Sequence, residues 1–125
     1  MKNTLMLQNI NHVVTVVKDL TRSLKFYRDF LGIPQIQSQV DDLKIVWLQL
    51  PSGIMLHLIE NPLAPAFPKN IHHAFEMTDL DLAIRLLENH GITIERSGTR
   101  NDGQRFIFFR DPDDNLVEIC TESGF

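Results

Sequence analysis

The stretch that decides the fold is NHVVTVVKDLTRSLKFYRDFLGI, residues 11–33, because the chain contains a second version of it. Residues 71–92 read IHHAFEMTDLDLAIRLLENHGI, and the two stretches align along their whole length with one gap. In this alignment His12 falls on His72, and each histidine opens an apolar run. An internal repeat of this kind predicts two copies of one supersecondary unit.

Each copy has the pattern of a strand followed by a helix. The apolar run that begins at the histidine, HVVTVV in the first copy, is rich in β-branched residues and predicts a buried strand. The aspartate that follows, Asp19 or Asp79, is suited to accept hydrogen bonds from the free amides at a helix start. Apolar residues then recur at helical spacing. A glycine, Gly32 or Gly91, closes each helix, where the left-handed conformation is needed.

Short strands separated by tight turns follow each helix. We predict strands near QIQSQV, LKIVWLQL and IMLHLIE in the first half, and near ITIER, QRFIFFR and NLVEIC in the second. PSG and DPDD are the corresponding turns, and ENPLAPAFPKN is an extended linker. The sequence therefore predicts an α+β fold built from two βαβββ modules. We expect one domain, 1–125, with module one at about 9–60, the linker at about 61–70 and module two at about 71–121.

Composition excludes several classes of function. A net charge of -4 and scattered basic residues do not favour binding to nucleic acid or to an anionic membrane. No apolar run approaches the length of a signal peptide core or a membrane span, so we expect a cytoplasmic protein. Cys120 is the only cysteine, which excludes an intrachain disulfide. Because Cys120 ends the apolar run LVEIC, we expect a small core residue there and not a nucleophile.

Four polar residues interrupt strands that otherwise read as buried: His12, His57, His72 and Glu118. Taken singly, such a histidine is more typical of a hydrogen-bonded core residue, and such a glutamate of a salt-bridged one. Their positions favour a common role, because they occupy the first and last strands of the two copies, one in each. Imidazole nitrogen and carboxylate oxygen together suit zinc, nickel, manganese or iron.

Three stretches of the sequence resemble a known family. The stretches NHVVTVVKDLTRSLKFYRDFLGI, HHAFEMTDLD and FFRDPDDNLVEI resemble the vicinal oxygen chelate (VOC) superfamily of glyoxalases, bleomycin-resistance proteins and extradiol dioxygenases. The resemblance implies a curved mixed sheet around a central cleft that holds a divalent metal ion. It also implies that His12, His57, His72 and Glu118 are the metal ligands. Of the doublet in HHAF, the family pattern and the internal repeat both select His72 over His73.

One position departs from the glyoxalase I pattern. Glyoxalase I has a glutamate where this chain has His57, so the set of three histidines and one glutamate does not predict the classical activity. Extradiol dioxygenases use two histidines and one glutamate as metal ligands. In that alternative His57 does not bind the metal and contacts either the substrate or one of the metal ligands.

The resemblance implies a metal-dependent lyase or isomerase of glyoxalase-like type, acting on a small molecule chelated through vicinal oxygens. Glu118, the only carboxylate of the set, is the candidate base. Glu76, Trp47 and Arg105 are candidate substrate contacts; surface charge or core packing is the alternative interpretation of each. The other functions left open are an iron-dependent extradiol-type dioxygenase and a non-catalytic ligand-binding protein of bleomycin-resistance type. A homodimer is expected by analogy alone.

Overall fold

The computed structural model describes residues 3–125, and within them eight strands and two helices follow the order of the repeat. The elements of the first half are β1 (His12–Val17), α1 (Leu20–Leu24) with a π-helical continuation (Lys25–Phe30), β2 (Gln35–Ile36), β3 (Ile45–Gln49) and β4 (Met55–Glu60). Those of the second half are β5 (His73–Glu76), α2 (Leu80–Asn89), β6 (Arg96–Thr99), β7 (Arg105–Arg110) and β8 (Leu116–Cys120).

The chain divides into two compact units, one ending at Ala64 and the other comprising Pro65–Phe125. This boundary falls inside the linker predicted at about 61–70. Each unit contains one four-stranded sheet, in the order β1-β4-β3-β2 or β5-β8-β7-β6. In both sheets the first strand runs parallel to the last, and the other pairings are antiparallel. The predicted α+β fold of two βαβββ modules is confirmed.

The aspartates and glycines of the repeat have the roles that their chemistry predicts. Asp19 Oδ1 accepts a hydrogen bond from the Arg22 amide at 3.1 Å, and Asp79 Oδ1 accepts one from the Leu82 amide at 3.0 Å. Each bond satisfies one amide of a first helical turn that has no partner within the helix. After the second helix, Gly91 has a φ of 74°, in the left-handed region that glycine enters without steric cost.

Three elements differ from the sequence prediction. The first helix widens after Leu24, and the Leu31 amide bonds the Phe26 carbonyl at 2.8 Å; two adjacent aromatic rings are buried in this wider turn. Of QIQSQV, only the first two residues pair with β3. The strand predicted at ITIER lies later, at β6, because the Ile92 amide is still bonded to the Leu87 carbonyl at the end of α2.

Side-chain alternation gives each sheet one apolar face and one face with polar groups. Along β4, Leu56 and Leu58 are buried on one face, and His57 lies on the opposite face. Along β8, Val117 and Ile119 share one face and Glu118 lies on the other. The polar face of each sheet therefore carries one predicted metal ligand, His57 in the first unit and Glu118 in the second. No helix in the described part of the chain is long and apolar enough to cross a membrane.

We predict that Asp79→Ala lowers the free energy of unfolding by about 1 kcal/mol, because it removes the side-chain acceptor at the start of α2. Glu88→Ala, near the exposed end of the same helix, is the matched loss of a carboxylate and should have little effect. Urea denaturation followed by circular dichroism measures both. Equal stability of the two variants would contradict the capping role.

Candidate functional site

The polar pairs of the two units occupy equivalent positions in their sheets. His57 is the third residue of β4 and Glu118 is the third residue of β8. In the parallel pairings, His57 lies opposite Val14 and Glu118 lies opposite Ala74. Each of these partners comes two residues after a histidine of the repeat, and residues two apart on a strand share a face. The same topology therefore brings His12 to His57 in one unit and His72 to Glu118 in the other.

In the first unit the pair forms part of a stack of three rings. The His57 ring lies 4.2 Å from the His12 ring and 4.2 Å from the Trp47 ring, centroid to centroid. The angles between planes are 13° and 6°, so the three rings are nearly parallel. His57 is only 7% exposed, and its Nε2 has no hydrogen-bond partner among the described residues.

The electrostatics of this pair favour neutral imidazole at His57. Burial, followed by the nearby His12, lowers the pKa of His57 from its ordinary value. His12 Nδ1 lies 2.8 Å from Asn11 Oδ1, and in the tautomer that donates this hydrogen bond Nε2 is the nitrogen available to a metal ion. A histidine whose second nitrogen donates to an oxygen in this way is typical of a metal ligand.

The stack also limits how the two rings can bind metal. An imidazole nitrogen directs its lone pair within the plane of its own ring, about 2.0–2.1 Å from a bound zinc ion. Two planes inclined by 13° with centroids 4.2 Å apart cannot both contain one ion at that distance. Binding of one ion by both histidines therefore requires one ring to turn out of the stack.

In the second unit the pair is joined by a hydrogen bond. His72 immediately precedes β5, and its Nε2 lies 3.0 Å from Glu118 Oε1. The other carboxylate oxygen, Oε2, accepts a bond from Arg100 Nη2 at 3.1 Å. The Glu118 side chain is only 5% exposed, so these two contacts supply the partners that a buried carboxylate requires.

This pair fits a metal ion in its chemistry and its spacing. Two donors bound to one ion at about 2.0–2.2 Å lie about 3–3.5 Å apart, and the His72–Glu118 separation of 3.0 Å is at the lower end of this range. In addition, His72 Nδ1 is buried without a hydrogen-bond partner among the described residues. Among residues 3–125, no three His, Cys, Asp or Glu side chains come together as a metal-binding group. Each unit thus presents a pair of donors.

The second histidine of the doublet has different surroundings. His73 is the first residue of β5 and lies opposite Val117, on the face away from Glu118. Its ring packs edge-on against Phe67, with centroids 5.6 Å apart. Burial, followed by the neighbouring His72, lowers the pKa of His73. The structure thus places His72 beside Glu118 and His73 in apolar packing.

The predicted substrate contacts separate into two groups. Trp47 stacks on His57, and Glu76 lies on the same sheet face as Glu118, at the exposed end of β5. Arg105 lies on the opposite face of its sheet and donates to Asp81 of α2 at 3.0 Å. The structure therefore does not bring Arg105 together with Glu118.

Two arginines on the Glu118 face were missed by sequence reasoning. Arg96 and Arg100 lie two residues before and two residues after Gly98, so the three residues share one face of the sheet. This pattern was missed because the strand was predicted at ITIER, most of which precedes β6. The Arg100 guanidinium lies 4.1 Å from the centre of the Phe106 ring. Glycine is required between them, because a Cβ at Gly98 would lie 2.7 Å from the Phe106 ring.

Cys120 is buried on this same face and its surroundings oppose ionisation. Burial first, and then the carboxylates of Glu118 and Glu76, raise the pKa of the thiol.

We predict that iodoacetamide alkylates Cys120 at least roughly tenfold more slowly in the native protein than in urea-unfolded protein at the same pH. Mass spectrometry of quenched time points measures the two rates. Equal rates would contradict the buried, protonated thiol.

Trp47, the only tryptophan, is predicted to report on metal binding. If zinc turns the His57 ring out of the stack, the fluorescence of Trp47 changes saturably during a zinc titration. His57→Ala should abolish the change, and His90→Ala, which removes an exposed histidine from the end of α2, should retain it. A titration curve that is unaffected by His57→Ala would contradict a contribution of His57 to metal binding.

Comparison with known proteins gives consistent results over nearly the whole chain. Residues 9–119 match the family model "Glyoxalase/Bleomycin resistance protein/Dioxygenase superfamily". Glyoxylase I 4 of Arabidopsis thaliana is 30% identical, with 94% of this chain and 73% of that protein covered. Metallothiol transferase FosB of Staphylococcus saprophyticus is also 30% identical, with coverage of 93% and 78%.

Solved structures agree on the fold. A glyoxalase/dioxygenase from Nostoc punctiforme superposes with a TM-score of 0.80 over 98% of this chain and 99% of its own. Its sequence identity of 22% means that this likeness concerns architecture.

Proposed function

Because the chain belongs to the Glyoxalase/Bleomycin resistance protein/Dioxygenase superfamily, we propose that it is a divalent-metal-dependent enzyme of glyoxalase-like type. In this proposal it acts on a small substrate bound through adjacent oxygens, with His12, His57, His72 and Glu118 as the metal ligands. The observation that carries the proposal is the contact between half-buried His72 and buried Glu118, whose nitrogen and oxygen atoms lie 3.0 Å apart. The His12–His57 pair at the equivalent position of the first unit supports it.

The donor set favours a borderline metal. Three imidazoles and one carboxylate suit zinc, nickel, manganese or iron better than calcium or magnesium, which prefer oxygen ligands. When bound, such an ion acts as a Lewis acid and stabilises the negative charge that develops on a substrate oxygen.

Glu118 is the group proposed to accept the substrate proton. Arg100 Nη2 donates to Oε2, so Oε1, the oxygen that faces His72, is the atom proposed to receive the proton. The rings of Phe106 and Phe108 are both about 8% exposed and lie on the same sheet face, where they exclude water from the carboxylate.

We predict that the purified protein binds close to one divalent metal ion per chain. His72→Ala should reduce the metal affinity by an order of magnitude or more, because it removes one ligand. Glu76→Gln, which changes an exposed carboxylate on the same face, is the control and should bind normally. Plasma mass spectrometry and calorimetric titration with zinc and nickel measure content and affinity. Absence of bound metal in the parent protein would move the assignment to a non-catalytic ligand-binding protein.

We predict that Glu118→Gln lowers kcat by about 10²–10⁴-fold at saturating metal, the range expected for loss of a general base. The glutamine keeps the size of the side chain and an oxygen donor but cannot take up the proton. The assay panel is the hemithioacetal of methylglyoxal and glutathione, a catechol with oxygen consumption, and fosfomycin with a thiol. Intact metal content with full activity would refute the base role.

A second candidate is thiol addition to fosfomycin. The 30% identity to metallothiol transferase FosB favours thiol transfer, and the 27% identity to fosfomycin resistance protein FosX of Listeria innocua favours fosfomycin as the substrate. Arg96, a guanidinium on the Glu118 face, is suited to bind an oxyanion. Within the same panel, consumption of fosfomycin supports this candidate, and oxygen uptake with a catechol supports an extradiol-type dioxygenase. By analogy with the superfamily, the proposed assembly is a homodimer, which light scattering of the purified protein measures.

A further inference from the structure

The second unit contains a cavity of about 350 Å³ that borders His72, the partner of Glu118. Its size falls within the range of about 300–1,000 Å³ typical of small-molecule sites. His72 lies in its wall, with Phe108 and Leu116 as apolar lining and Arg96 as a cationic group. A predicted metal ligand thus shares a cavity with features that recognise an organic anion.

Glu95, which lines this cavity, and Glu118, which contacts His72 in its wall, each pair with an arginine. Glu95 Oε2 accepts a bond from Arg110 Nε at 2.6 Å, and both residues line the cavity. Glu118 Oε2 accepts from Arg100 Nη2 at 3.1 Å. These pairings neutralise both carboxylates and leave their two arginines occupied.

Arg96 is the cation without such a partner. Its guanidinium carbon lies 5.7 Å from the centres of both the Phe106 and the Phe108 rings, and no carboxylate contacts it among residues 3–125. Support from two aromatic faces orients the planar guanidinium while leaving its N–H donors free. A guanidinium held in this way is suited to bind a carboxylate or another oxyanion through two parallel hydrogen bonds.

We propose that Arg96 binds an anionic group of the substrate, which narrows the substrate class to small organic acids. This inference rests on the proposed function: the adjacent oxygens of the acid bind the metal, and a separate oxyanion binds Arg96. Phe108 and Leu116 then contact the apolar segment between the two polar ends.

The first test needs no metal. Benzoate and benzamide have nearly the same shape and differ in charge, and ¹H–¹⁵N spectra of metal-free protein locate and quantify their binding. Benzoate should shift the amide signals of Arg96 and Phe108, and benzamide should bind at least severalfold more weakly. Arg96→Gln should weaken benzoate binding about tenfold, the loss expected for one charge-assisted contact, and Arg96→Lys should restore part of it.

Arg85→Gln is the matched control, because it removes an exposed arginine from α2 and should leave benzoate binding unchanged. Equal binding of benzoate and benzamide, normal binding by Arg96→Gln, or shifts confined to other residues would each overturn the proposal.

The second test uses zinc-loaded protein and calorimetry. 2-Oxoglutarate and 2-oxopentanoate both offer vicinal oxygens, but only 2-oxoglutarate has a distal carboxylate. The parent protein should prefer 2-oxoglutarate, and Arg96→Gln should lose this preference; no preference in the parent protein would overturn the substrate role. If the protein takes up no metal, the proposed function fails while the benzoate test still decides whether Arg96 binds anions. Metal uptake without benzoate binding overturns the Arg96 proposal alone.

Discussion

The buried carboxylate of Glu118 is the constraint on which the polar face of the second unit depends. An ionised group with 5% of its side chain exposed destabilises the fold unless it is paired. His72 contacts one of its oxygens and Arg100 contacts the other. Arg100 in turn lies over the Phe106 ring, and Gly98 provides the space for that ring. The residue types at three separate positions, His72, Gly98 and Arg100, are thus explained by one carboxylate.

The repeat explains why each unit has a polar pair at the same position of its sheet. The two pairs differ in the chemistry of one residue. His57 and Glu118 occupy the same place in equivalent strands, but one is an imidazole and the other a carboxylate. In the first unit the imidazole is stabilised by stacking between two rings. In the second, the carboxylate is stabilised by charge. Of the two pairs, the second is the one in which a carboxylate contacts a guanidinium.

Much of this arrangement was predictable from the sequence, because it follows from local patterns. The internal repeat predicted both modules, and the repeat and the family pattern together selected His72 over His73. The position of β6 was not predictable from hydrophobic pattern, because Ile92 and Ile94 suggested a strand where the chain still closes α2. Arg96 and Arg100 were missed for that reason. The partner of Arg105, Asp81, lies 24 residues away in the sequence, and only the fold brings the two together.

The central claim is that histidines of the repeat and Glu118 bind a metal ion. X-ray absorption at the zinc edge of the zinc-loaded protein tests it most directly, since imidazole rings give characteristic scattering beyond the first coordination sphere. We expect a coordination sphere of nitrogen and oxygen atoms with several imidazoles in the parent protein, and one imidazole fewer in His72→Ala. A sphere of water and carboxylate oxygens without imidazole, or one unchanged by His72→Ala, would contradict it.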